Sequence, residues 1–216
     1  MNLLALVRAS RELRLALAIV GGLAVVGLLG FGGWSWYRAQ EARGEAALAE
    51  AAQLVQQAEA LQAPAEARDK AVKALEAVIA EHPRLSALPQ AAYQLGHLRY
   101  AAGQYAPARK AYELALAKGA AGSLRTLSAL GIGYSWEAEG NYTNAATAYE
   151  GLLNGLTPKD FLYEEALMDL ARAQEQSGKP AAALETYQRI LKQSPQSPRA
   201  DDVRTRAARL QSRVRP

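Results

Sequence analysis

The sequence predicts an all-α protein: an N-terminal transmembrane helix, then an α-solenoid of about four helical hairpins, then a C-terminal capping helix. Three observations predict this. Half of the 216 residues are apolar, mostly Ala and Leu with few aromatics, which favours closely packed helices over sheet. The run from Leu15 to Tyr37 carries no charge over 23 residues. One pattern of small and large residues then recurs along the remainder. Its key Ala returns as Ala71, Ala108, Ala145 and Ala183, at spacings of 37, 37 and 38. The large residue after it returns in step as Leu75, Tyr112, Tyr149 and Tyr187. A Gly recurs as Gly103, Gly140 and Gly178, followed two positions on by Tyr105, Tyr142 and Pro180. A lone helix pair cannot bury its apolar face, so a repeated pair implies stacking, with small residues wherever backbones approach closely.

Charge and composition narrow the function. The net charge of +4 sits at the chain ends: the segment from Arg199 to Pro216 has six Arg against Asp201 and Asp202, and Arg8, Arg11 and Arg14 oppose only Glu12. No basic groove with interleaved aromatics appears, so nucleic acid is not an expected partner. The absence of Cys removes disulfides, thiol nucleophiles and zinc-thiolate sites. His82 and His97 are the two histidines; His82, beside Pro83, reads as a loop residue. No metal and no cofactor is expected.

The charge-free run would span about 35 Å as a helix, against a hydrocarbon core of about 30 Å. Trp34, Trp36 and Tyr37 close it with amphipathic rings suited to the lipid-water interface. A cleaved signal peptide also has an Arg-containing start and an apolar run. This run exceeds the usual length of about 7–15 residues, and Trp34-Ser35-Trp36-Tyr37-Arg38 offers no small-x-small cleavage site. Arg8, Arg11, Arg14 and the amino terminus outweigh Arg38 and Arg43, which predicts a cytoplasmic N-terminus with the remainder across the membrane. Ala18 and Gly22 form one small-xxx-small pair, but glycine is common in membrane helices in any case.

The expected organisation is a short basic cytoplasmic segment (residues 1–14), the transmembrane helix (15–37), a repeat domain (38–196) and a capping helix with basic tail (197–216). The hairpins fall at about 38–83, 89–119, 124–156 and 158–195. The first is degenerate: a helical stretch from Arg38 to Leu61, interrupted only by Gly44, pairs with a helix from Ala67 to Ala80 bearing Ala71, Leu75, Val78 and Ile79 on one face. The other three carry Leu95-Gly96, Ile132-Gly133 and Leu170-Ala171. Glu164-Glu165 and Asp201-Asp202 fit the acidic first turns of helices starting near Thr157-Pro158 and Ser197-Pro198. In the last helix, Val203, Ala207, Leu210 and Val214 share a face, leaving Arg206, Arg209 and Arg213 outward. That suits a solvating cap; a basic helix lying on anionic lipid is the alternative.

No catalytic constellation is present. Neighbouring acids on a helix point about 100° apart and cannot face each other as an acid-base pair. No phosphate loop, GxSxG elbow or HExxH occurs, and the chain does not read as an enzyme.

The order Leu95-Gly96, Tyr105, Ala108, Tyr112, Ala115 resembles the tetratricopeptide repeat, whose usual period of about 34 is extended here between hairpins. The resemblance implies protein recognition on the face of the first helices. It places candidate contacts at Tyr93, His97 and Tyr100, at Leu130, Tyr134 and Glu137, and at Met168, Arg172 and Glu175. Aromatics at these positions suit an apolar or amphipathic polypeptide, or else fill the stack itself. The Lys and Asn set with which chaperone-tail binders clamp a carboxylate is missing. One membrane helix ending in Gly33-Trp34-Ser35-Trp36-Tyr37, followed by degenerate repeats, is also similar to the ancillary subunit of the bacterial Sec translocon, the YfgM type. That family's acidic N-terminal tail is replaced here by a basic one. The similarity implies a single-pass inner-membrane protein whose periplasmic repeats bind translocon subunits, chaperones or other polypeptides. A scaffold in another envelope machine, for division or outer-membrane assembly, is the alternative.

Overall fold

The computed structural model describes residues 11–60 and 63–214, so most of the basic N-terminal segment lies outside the described residues. Among those described, the chain forms helices and no strands. The helices are α1 (Arg11–Glu59), α2 (Ala65–Glu81), α3 (Leu88–Ala101), α4 (Tyr105–Ala117), α5 (Gly122–Ala138), α6 (Tyr142–Leu153), α7 (Tyr163–Gln176), α8 (Pro180–Gln193) and α9 (Ala200–Val214). Each packs against the next, and α3 also touches α1 and α5. The result is an up-down stack of hairpins in which the first helices line one face.

At 49 residues α1 is about 74 Å long. No Pro interrupts it, and Gly44, expected to be its weak point, is helical and buried. The reason is packing: a Cβ at Gly44 would lie 2.9 Å from Leu85 and 3.3 Å from His82. The glycine therefore admits the loop between α2 and α3 against the helix. The N-terminal part of α1 is apolar and exposed from Leu15 onward, long enough to cross a bilayer, and its C-terminal part buries Ala51, Val55 and Ala58 against α2 and α3.

Within the hairpins the recurring residues explain one another. Tyr112 on α4 fits between two helices because both lack a side chain where its ring passes. A Cβ would lie 2.7 Å from that ring at Gly96 and 2.6 Å at Gly131. At Gly133 it would lie only 2.1 Å from the ring of Tyr149. Ala71, Ala108, Ala145 and Ala183 are all fully buried beneath these contacts. The turn glycines share one left-handed conformation, with φ of 73° at Gly103, 74° at Gly140 and 76° at Gly178, which suits the residue just past a helix end.

Three details depart from expectation. Helix α7 begins at Tyr163 and not near Thr157, because Asp160 closes a turn by accepting from the backbone N–H of Thr157 at 2.6 Å and its hydroxyl at 2.8 Å. Helix α9 begins at Ala200; Ser197 caps a preceding turn, accepting from Arg199 N–H at 3.2 Å. Arg206 is only partly outward: its side chain is 39% exposed and donates to Asp202 at 3.0 Å, beside the seam that α9 closes with Val203, Ala207 and Leu210.

The ring contacts make two glycines on consecutive helices opposite in their tolerance. Gly133→Ala drives a methyl into Tyr149 and is expected to destabilise the fold by about 1–3 kcal/mol. Gly151, in α6 with nothing within 4 Å, is expected to gain up to about 1 kcal/mol as Ala from helix propensity. Denaturant unfolding of the detergent-solubilised chain measures both.

Candidate functional site

The predicted contact residues lie on α3, α5 and α7, neighbouring first helices of the stack. They divide into groups with different surroundings. Leu130 is 3% exposed and belongs to the core between α5, α6 and α7, so it presents no surface to a partner. Tyr93 and Tyr134 are half-buried and lean on the stacked tyrosines beneath them. Their ring centroids lie 5.8 Å from Tyr112 and 6.0 Å from Tyr149. These two aromatics therefore contribute to the stack as well as to the face above it. Met168 also packs partly against the core.

His97 and Tyr100 stand more clear. His97 is exposed and faces Glu59 of α1 across 3.9 Å. Tyr100 packs its ring 5.4 Å from Tyr105 and lies close enough to Glu137 and Arg172 to feel both charges. Burial is the main cause that raises its hydroxyl pKa. Tyr100 of α3 thus lies near the ion pair of Glu137 on α5 with Arg172 on α7. Glu175 is half-buried on the last turn of α7, within reach of the Tyr187 hydroxyl at 3.5 Å.

The centre of this face is a polar network that sequence reasoning only half identified. Arg172 donates to Glu137 at 2.8 Å and to Asp169 at 2.7 Å, and the Tyr134 hydroxyl donates to Asp169 at 2.8 Å. Asp169 is 1% exposed. It was missed because the repeat columns were read for small and aromatic residues; the visible signal was an acid inside the apolar run Ala166–Ala171. Burial raises the pKa of Asp169, outweighing the hydrogen bonds from Tyr134 and Arg172 that lower it. Burial likewise raises Glu137 against the pull of Arg172. Arg172 is pushed up by both carboxylates and stays charged. The network ties α5 to α7, and its outer atoms offer charge to a partner.

A second unforeseen contact joins α4 to α5. The Arg109 guanidinium lies 3.4 Å from the centroid of the Trp136 ring and donates to Glu139 at 2.8 Å. Among the described residues no group of three or more acidic or histidine side chains could hold a metal ion.

A family model described as "Tetratricopeptide repeat-like domain" matches residues 16–162, and one described as "Tetratricopeptide repeat" matches residues 137–207. No curated protein sequence matches the chain. Among solved structures, nearly identical TPR-like repeats of a Podosopora anserina protein described as a kinesin light chain superpose with a TM-score of 0.58 at 19% identity, covering 80% of this chain and 87% of that one. A single-substitution variant of that protein gives a TM-score of 0.58 at 18% identity, covering 80% of this chain and 86% of that one. At this identity the likeness concerns the fold.

The electrostatics of Asp169 give a prediction with a definite sign. Its folded pKa is raised above the ordinary 3.8, so between those two values the folded state binds more protons than the unfolded one. Wild-type stability relative to Asp169→Asn is therefore expected to rise as pH falls through that window. Unfolding measured across acid pH for both proteins checks this; wild-type stability that falls relative to that of Asp169→Asn on acidification would contradict it.

Proposed function

The chain belongs to the family of tetratricopeptide repeat-like domains, and from that premise we propose that it is a single-pass membrane adaptor whose repeats hold polypeptide partners beside a secretion channel. The repeat array is a protein-protein interaction scaffold. What the proposal adds is the tether, the compartment and the partner class: an inner-membrane helix, repeats on the periplasmic side, and translocon subunits or periplasmic chaperones as partners.

The observation that carries this reading is the continuity of α1. One helix is apolar and exposed over its first half and forms the first helix of the array over its second half. The family match covers residues 16–162 and so includes most of the apolar run, which is compatible with the anchored reading. The first-helix face supplies the binding chemistry. His97 and Tyr100 offer amphipathic contacts, and Arg172 with Glu137 offers charge of both signs over a small area.

A scaffold for another envelope machine is the second reading. It is favoured by the Tyr134–Asp169–Arg172–Glu137 network, whose groups are largely satisfied within the chain. Such a face is pre-shaped for a folded surface more than for an extended apolar segment.

Photo-crosslinking amino acids at His97 and Tyr100, with controls at the exposed second-helix positions Lys110 and Glu113, test both readings in cells. Capture of translocon or chaperone polypeptides at the first-helix positions alone is the expected outcome. Division or outer-membrane assembly proteins captured there would support the second reading. Capture at Lys110 and Glu113 instead would refute the first-helix face as the binding surface.

A further inference from the structure

Up-down packing places the connections between helices at two opposite ends of the array. The turns after α1, α3, α5 and α7 lie at one end, and the loops after α2, α4, α6 and α8 at the other. The apolar half of α1 leaves from the second end. Glu41 of α1 accepts from the Ser86 backbone N–H at 3.0 Å, and Leu85 and His82 pack at Gly44. A cavity of about 290 Å³ is shared by Trp36 and Tyr37 with the loop from Glu81 to Leu85. The loops of this end also form a connected series. Lys118 after α4 reaches the Pro83 carbonyl at 3.5 Å. A groove of about 630 Å³ runs from Leu116 and Gly122 to Phe161 and Leu162 in the loop before α7. Ser197 and Arg199, before α9, bind Glu164 and Glu165 at the start of α7.

Phe161 is the anomaly of this end. It is 95% exposed, far more than any core-facing aromatic of the chain, at the rim of an apolar groove. Glu41 lies four residues beyond Tyr37, about 6 Å of helix rise, and the headgroup layer beyond the hydrocarbon is about 5–7 Å thick. The loop bound to Glu41 is therefore level with the headgroups once the apolar run is in lipid. Exposed cations, Arg84, Lys118 and Arg125, stand at the same end, suited to anionic lipid. Of its acids, Asp160 is engaged by Thr157, Glu164 by Ser197 and Glu165 by Arg199, while Glu81 is exposed beside Arg84.

We propose that this end of the repeat array rests on the bilayer surface, with Phe161 inserted at the lipid-water interface and Arg84, Lys118 and Arg125 over anionic headgroups. The inference rests on the anchored reading above. It gives the array a fixed posture: the stack runs along the membrane, and the turn glycines Gly103, Gly140 and Gly178 face away from it. An exposed aromatic in this posture supplies a second attachment, and its insertion adds to that of α1 without requiring any new fold.

The chain has no Cys, so single nitroxide labels can be placed at will. The full chain is reconstituted in vesicles of phosphatidylethanolamine and phosphatidylglycerol, labelled at Leu28→Cys within the span, Lys159→Cys beside Phe161, or Gln176→Cys at the far end of α7. Collision with oxygen, enriched in lipid, is compared with collision with a water-soluble nickel chelate. The expected result is a lipid profile at 28, an interfacial profile at 159 and an aqueous profile at 176. Adding Phe161→Asp is expected to abolish the oxygen preference at 159 and leave 28 unchanged; a side chain so exposed can be changed without disturbing the fold. An aqueous profile at 159 with 28 still in lipid would overturn the surface contact and leave the anchor standing. An aqueous profile at 28 would overturn both. Spin-spin broadening at 159 that disappears on dilution with unlabelled chain would assign Phe161 to a second copy and overturn the lipid contact.

Discussion

The array depends on tyrosine rings of one helix passing across backbone where its neighbour has no side chain. Tyr112 lies against Gly96 and Gly131, and Tyr149 against Gly133, at distances that leave no room for a methyl. A large ring at one position and a missing side chain at the other form a single constraint, and it recurs 37 residues apart in the second and third hairpins. The buried Ala beneath each ring, Ala108, Ala145 and Ala183, lets the helices approach closely enough for the contact to form. Other features follow from this. The turn glycines reverse the chain within three residues, and the first helices are left as neighbours on one face.

That constraint also explains which parts were legible in the sequence. The columns of Ala, Tyr and Gly repeat because each is demanded by a neighbour, so the hairpins and the capping stripe of Val203, Ala207 and Leu210 could be counted directly. Gly131 was not singled out, since it serves the preceding hairpin's Tyr112 and falls outside the repeat columns. Loops were less legible. The Thr157-Pro158 pair looks like a helix start, but Asp160 satisfies Thr157 locally and delays α7 to Tyr163. Of the candidate contacts, which the resemblance to the repeat family supplied, Leu130 is core, and nothing in the repeat pattern separates it from exposed neighbours on the same helix. Asp169 escaped notice because its role depends on Tyr134 and Arg172, each on a different turn or helix.

The network around Asp169 shows a different balance from the rest of the fold. A buried carboxylate costs stability unless its partners are well placed, and here burial still prevails over them in setting its pKa. Such a group links α5 to α7 through its bonds with Tyr134 and Arg172. Bonds that hold these helices together are useful to a surface that recognises a partner, because less ordering remains to be done on binding.

In the anchored arrangement proposed here, α1 converts a modular array into one with a fixed place. If a single unbroken helix joins bilayer and repeats, the first-helix face is held at a set height and orientation, and the partners it meets are those that come to the membrane. The direct test is a distance across the junction. Nitroxides at Leu28→Cys and Ala46→Cys, eighteen residues apart on the exposed side of α1, lie on the same face of an unbroken helix about 27 Å apart. Pulsed dipolar spectroscopy in lipid is expected to give one narrow distribution near that distance. A broad distribution, or one centred well below it, would show a hinge near Gly44 and contradict the fixed presentation of the array.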